Sequence, residues 1–203
     1  MNLFLPPGWM TFNALSPRSV DSPQEKRKSI SAFTPFSIMK KLAAPQNQGA
    51  GATFLKNTLT RISRSLGYSY DETQAMIARS FMISADNGHA LHPNHGEYAD
   101  LVNAPRLNEG IVIKFNAQQR YATDGFSAAF FRDLCRRVEV PTQTFTNRSD
   151  IPGGSTLGNI SNTKVSMPTV DIGLPQLAMH SSYETAGTKD TAYLVTACTA
   201  FFE

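Results

Sequence analysis

Phe81-Met82-Ile83-Ser84-Ala85-Asp86-Asn87-Gly88-His89-Ala90-Leu91-His92-Pro93-Asn94-His95 is the stretch from which the fold is read. Its apolar lead-in, Phe81-Met82-Ile83, predicts a buried strand, and the polar residues that follow, broken by Gly88 and Pro93, predict a loop at its end. Asp86 then falls at the strand's carboxyl edge, where open α/β sheets build their sites because rigid strands hold the loops there. Asp and His side chains together can bind a divalent metal, since zinc takes imidazole nitrogen and carboxylate oxygen. Read alone, three neighbouring histidines better describe a solvated loop, and Pro93 rules out a regular helical His-x-x-x-His pair.

The fourth histidine closes a second segment of the same grammar. Thr169-Val170-Asp171-Ile172-Gly173 predicts another apolar strand, followed by Leu174-Pro175-Gln176-Leu177-Ala178-Met179-His180. Two strand ends therefore each offer one ligand, Asp86 and His180.

Working outward, Phe54, Leu55, Leu59, Ile62 and Leu66 recur at helical spacing between Thr53 and Leu66, and Gly67 is a stop. Asp71 is the expected cap of a second helix running to Phe81, with Thr73, Ala75, Met76 and Ala78 inside. Ile111 to Asn116 reads as a strand. Lys114 stands on it either as a solvated edge lysine or as a site residue. Thr123 to Val138 predicts a helix with Phe126, Ala129, Phe130, Leu134, Cys135 and Val138 on its apolar face and Arg132, Arg136 and Arg137 on its wet face. Phe145 belongs to a strand after Pro141, and Tyr183 to Glu203 is expected to be helical over much of its length, docked by Tyr193, Leu194, Ala197, Cys198, Phe201 and Phe202.

Composition limits the class. With 203 residues and 41% hydrophobic content, the chain can bury a sizeable core. A net charge of +3 with dispersed basic residues gives no nucleic-acid footprint. No window approaches the roughly 18 apolar residues of a membrane span, and the start lacks the basic and apolar regions of a signal peptide. The two cysteines, Cys135 and Cys198, lie in apolar helical surroundings, as buried thiols of a cytoplasmic protein do.

Eight short motifs, in order, carry a resemblance: Ser84-Ala85-Asp86, His89-Ala90, His92-Pro93-Asn94, Val112-Ile113-Lys114, Gln119-Arg120-Tyr121-Ala122, Arg148-Ser149-Asp150, Gly154-Ser155-Thr156 and Pro175 to Ser181. From about Gln48 to Glu203 the chain resembles the aspartyl aminopeptidases, the family that includes vacuolar aminopeptidase one. The resemblance implies the C-terminal portion of a three-layer α/β/α zinc-peptidase catalytic domain; the irregular prolines and absent periodicity ahead of it predict a non-family segment of no regular structure over 1–47. It implies two zinc ions in an intact site, a peptide substrate losing an acidic or neutral N-terminal residue, and a homo-oligomer, with no nucleic acid or membrane partner. By position, Asp86 matches a terminal ligand of one metal and His180 of the other. His89, Lys114, Gly154 and Ser155 match substrate contacts, with Lys114 placed to hold an acidic side chain.

The catalytic Glu-Glu pair has no counterpart, nor has the bridging aspartate. Where the family carries Asp-His-Glu-Glu-Ile-Gly-Ser, this chain reads Lys40-Lys41-Leu42-Ala43-Ala44. Reading codons from the third base, Met39-Lys40 must give Glu and Lys40-Lys41 can give a second. Trp9-Met10-Thr11 read the same way must give Asp-Asp, like the bridging-aspartate motif. Residues 1–44 are therefore expected to be an out-of-frame translation, in which case the chain is an inactive fragment with an uncovered sheet edge. The alternatives are a non-catalytic interaction module that keeps the fold within an oligomer, and a phosphate-binding protein using the glycine-rich run Gly153 to Asn159.

Overall fold

The computed structural model describes residues 12–17 and 51–203. The frame-shift reading at Trp9 to Thr11 and at Met39 to Ala44 falls outside the described residues. The helices α1 (Phe54–Ser65) and α2 (Tyr70–Ala78) lead into strand β2 (Ser80–Ala85), which β1 (Phe12–Pro17) flanks from far upstream. Then follow β3 (Gly88–His89), β4 (Ile111–Phe115), α3 (Gly125–Arg137), β5 (Thr142–Thr146) and α4 (Leu157–Asn162). The chain ends with β6 (Thr169–Gly173), β7 (Pro175–Leu177), β8 (Thr185–Ala186) and α5 (Thr188–Phe202).

Five strands form one sheet in the order β1-β2-β6-β4-β5, and β3-β7-β8 form a second. The large sheet is mixed. β2 and β6 run parallel, as do β4 and β5, but β4 and β6 are antiparallel and so are β1 and β2. Strand alternation then sorts the side chains into layers. Phe81, Ile83, Ile113 and Ile172 meet Phe131 and Cys135 of α3 and Ala197 and Phe201 of α5 on one face. Met82 meets Leu59 of α1 with Val165 and Met167 on the other. This is the three-layer α/β/α arrangement. Each fully buried Ile, Met or Phe contributes about 1.5–3 kcal/mol.

Several local expectations are corrected by packing. Ser69, not Asp71, caps α2: its side chain accepts the Glu72 N–H at 3.3 Å while Glu72 accepts the Ser69 N–H at 2.8 Å. Asp71 lies in the first turn, where the helix dipole also favours a carboxylate. The helix ends at Ala78, and Phe81 belongs to β2. Only Thr73 of its predicted inner face is buried. In α1, Phe54 is exposed and Leu59 is the buried apolar residue. The apolar face of α3 is turned by about one position. Ala128, Phe131 and Cys135 are buried in the cluster shared with the sheet and α5, whereas Phe126 and Ala129 face solvent and Phe130, Leu134 and Val138 pack at the cluster's edge. Within the N-terminal segment, Phe12–Pro17 is a strand where no regular structure was expected; edge pairing uses backbone groups that any sequence carries.

Asp190, fully buried at the start of α5, holds the approach to β4. Its carboxylate accepts the N–H of Asn108 at 2.7 Å and of Gly110 at 3.0 Å. No helix among the described residues is long and apolar enough to cross a membrane.

Candidate active site

The site grows from two strands that stay side by side beyond the main sheet. Asp86 donates its N–H to the Ile172 carbonyl at 2.9 Å, and Gly88 and Ala90 donate theirs to Leu174 and Gln176, also at 2.9 Å. At the joint between the sheets the two chains nearly touch. A Cβ on Gly173 would lie 1.8 Å from the Asp86 carbonyl oxygen, so only glycine allows Asp86 to sit against β6. Asn87 locks the joint. Its Nδ2 donates to Gln176 Oε1 at 2.7 Å, its Oδ1 accepts the Leu174 N–H at 3.3 Å, and its carbonyl accepts from Lys114 Nζ at 2.9 Å.

After β7 the backbone turns back on itself. Ala178 and His180 adopt positive φ angles of 52° and 68°, conformations costly for residues with a Cβ, and the His180 N–H is taken by Glu184 Oε1 at 2.5 Å. This turn carries His180 to the cavity entered from Asp86.

All six residues named from the sequence line one cavity of about 700 Å³: Asp86 and His180, His89 and Lys114, and Gly154 and Ser155. They come from the residue after β2, from β3 and β4, from the glycine-rich loop and from the segment after β7. The reading of Lys114 as a solvated edge lysine is overturned. β4 lies inside the sheet, and Lys114 is 3% exposed. Its Nζ stands 5.7 Å from the centre of the Tyr121 ring. His89 is exposed overall, yet partial withdrawal from water lowers its pKa, and the positive charges of Lys114 and His180 act in the same direction. The cavity thus carries a buried ammonium beside a histidine biased towards its neutral form.

Tyr121 is a cavity residue that residue-type reasoning passed over. It is buried, donates its hydroxyl to Asn147 Oδ1 at 3.3 Å, and has its pKa pushed up to about 12 by burial, with Asp171 and Asp86 adding to the effect. Its place in Gln119-Arg120-Tyr121-Ala122 was the one signal available. Gln176 and Asn87 were likewise missed, because their role depends on a contact between segments 89 residues apart.

Beneath the floor, a buried polar cluster ties these walls together. Asp171 Oδ2 accepts the Ala122 N–H at 2.5 Å, and Ser84 Oγ accepts the Gly158 N–H at 3.0 Å. Burial raises the Asp171 pKa despite hydrogen bonds that favour its charged form. Because Ser84 takes the Gly158 N–H, and α4 has only six residues, the glycine-rich loop does not offer the free helix start that a phosphate site uses. The loop is instead clamped by Arg120, whose Nη1 donates to the Gly153 carbonyl at 2.6 Å.

Asp86 and His180 supply the oxygen and nitrogen donors that zinc accepts. Among the described residues, however, no three His, Cys, Asp or Glu side chains converge as a metal centre requires. The described residues therefore hold no complete coordination shell.

A family profile described as "Aminopeptidase I zinc metalloprotease (M18)" matches residues 41–202. A probable M18 family aminopeptidase 2 of Stutzerimonas stutzeri is 48% identical over 154 residues, covering 76% of this chain and 35% of the relative. Among solved structures, one of the Ape4 and Nbr1 complex superposes with a TM-score of 0.77 at 39% identity over 80% of this chain and 31% of its counterpart. Another, of the S. cerevisiae mApe1 dodecamer, gives 0.69 at 27% identity over 79% of this chain and 35% of its counterpart. The chain thus spans about a third of the length of the relatives it matches. Matched over residues 41–202 and folded like these structures, this chain belongs to the aminopeptidase I (M18) family of zinc metalloproteases.

Proposed function

We propose that this chain supplies the substrate wall and two metal ligands of an aminopeptidase site that removes acidic or neutral N-terminal residues from peptides. The observation that carries this reading is the convergence of Asp86, His89, Lys114, Gly154, Ser155 and His180 on one cavity. In this reading Asp86 and His180 are terminal ligands, one to each of two zinc ions. When bound, zinc would supply Lewis acidity toward the peptide carbonyl. The chain's own contribution is recognition. Lys114, its Nζ anchored by the Asn87 carbonyl, presents a fixed positive charge to an acidic side chain, and Gly154 and Ser155 line the same cavity.

Two ligands without a complete shell hold zinc weakly, because ordering their loops is not offset by full coordination. The chain by itself is therefore proposed to bind zinc weakly and to cleave nothing, and to assemble with further copies in the cytoplasm as one neighbour, an S. cerevisiae dodecamer, assembles. Titrating an aspartyl dipeptide into the chain tests the recognition half. Binding that Lys114→Met abolishes is expected, and a chain that ignores the dipeptide overturns it. Zinc calorimetry tests the other half: a tight site lost in both Asp86→Ala and His180→Ala would refute the incomplete centre.

A further inference from the structure

β2 is buried on both faces, with Phe81, Ile83 and Ala85 in one apolar cluster and Met82 in the other. Such a strand belongs in the interior of a sheet. One of its edges is paired with β6. The other is covered by β1, which lies outside the family-matched residues 41–202.

The backbone groups on that second edge can be assigned. Met82 and Asp86 donate their N–H groups to Pro168 and Ile172 on the β6 side, both at 2.9 Å. Since successive N–H groups alternate across a strand, those of Phe81, Ile83 and Ala85 point towards β1. Their register partners are Ser16, Ala14 and Phe12, so these are the hydrogen-bonded pairs. Pro17, opposite Ser80, then falls at a position whose nitrogen faces away from β2. Proline lacks an N–H and is tolerated in sheets at such an outward-facing edge site. The sequence of β1 therefore fits an outermost strand in this register.

We propose that the free edge of β2 is a strand-docking surface and that this chain fills it with its own Phe12–Pro17 segment, a capping strand from outside the family-matched region. The capping works through the backbone, so it needs no family sequence in the segment. It satisfies three inward N–H groups and removes an open edge that would otherwise pair with a second copy.

Hydrogen exchange on the full chain tests this position by position. Ala14→Pro removes an inward N–H, whereas Asn13→Pro removes an outward one. Exchange at Phe81, Ile83 and Ala85 is expected to rise about tenfold in Ala14→Pro, the scale of one or two lost backbone hydrogen bonds, while Met82 and Asp86 keep their protection. Asn13→Pro should leave all five unchanged. Equal effects of the two prolines, or no effect of either, overturn the proposal. A second measurement does not depend on tolerating proline. Pro17→Cys with Ser80→Cys places two thiols at a non-hydrogen-bonded antiparallel pair, within disulfide reach. Mild oxidation should give a disulfide within one chain. A disulfide between two chains would show a second copy on the edge and overturn the proposal, as would the absence of any disulfide.

Discussion

Gly158→Ala probes the polar cluster that joins the strand before Asp86 to the loop carrying Gly154 and Ser155. An added Cβ would lie 2.6 Å from both the Cβ and the Oγ of Ser84 and 2.7 Å from Asp171 Oδ1. Ser84 and Asp171 are both fully buried in interior strands, so neither can swing aside. Overpacking of this kind costs about 1–3 kcal/mol. Separation of the Gly158 N–H from Ser84 Oγ, now 3.0 Å, adds about 1 kcal/mol. The sum, about 2–4 kcal/mol, lowers the melting temperature by roughly 4–16 °C in a domain of this size. Thermal unfolding followed by circular dichroism reads the shift. Gly125→Ala is the control: nothing lies within 4 Å of its added Cβ, and it sits at the start of α3, so it should melt no lower than the parent. Ser84→Gly removes two of the three obstructing atoms, so the double variant should lose about 1 kcal/mol less than the two single variants together. A Gly158→Ala chain that melts with the parent, or strict additivity, would refute the tight cluster.

Two further outcomes follow from buried polar groups. In an ultraviolet pH titration, Tyr121 should ionise near pH 12, and Tyr121→Phe should delete that step. Since its pKa is raised in the folded chain, the unfolded chain loses this proton first. Its contribution to stability is thus present below about pH 10 and is lost as pH climbs towards 12. Asp190→Ala leaves the N–H groups of Asn108 and Gly110 without their acceptor, at a cost of about 2–4 kcal/mol. Urea denaturation measures that loss, and an unchanged midpoint would show that the clasp contributes nothing.

The amino-acid sequence by itself determined what depends on neighbours along the chain. Apolar runs bounded by Gly and Pro located β2 and β6, and β4 to within a residue. Helical spacing located α1 and α3, and the resemblance named six residues that one cavity gathers. What escaped depends on which distant segment lies opposite. Lys114 is indistinguishable from an edge lysine until β5 and β6 are seen to flank β4. The flank of α3 that is buried is chosen by the sheet beneath it, and Ser69 outcompetes Asp71 as a cap by the reciprocal bond with Glu72. The pairing of Phe12–Pro17 with β2 left no trace in side-chain pattern, since the groups that make it are backbone N–H and C=O, present in every sequence alike. The resemblance led to the expectation of an uncovered sheet edge, but only the tertiary structure decided that this edge is on β2 and that Phe12–Pro17 covers it.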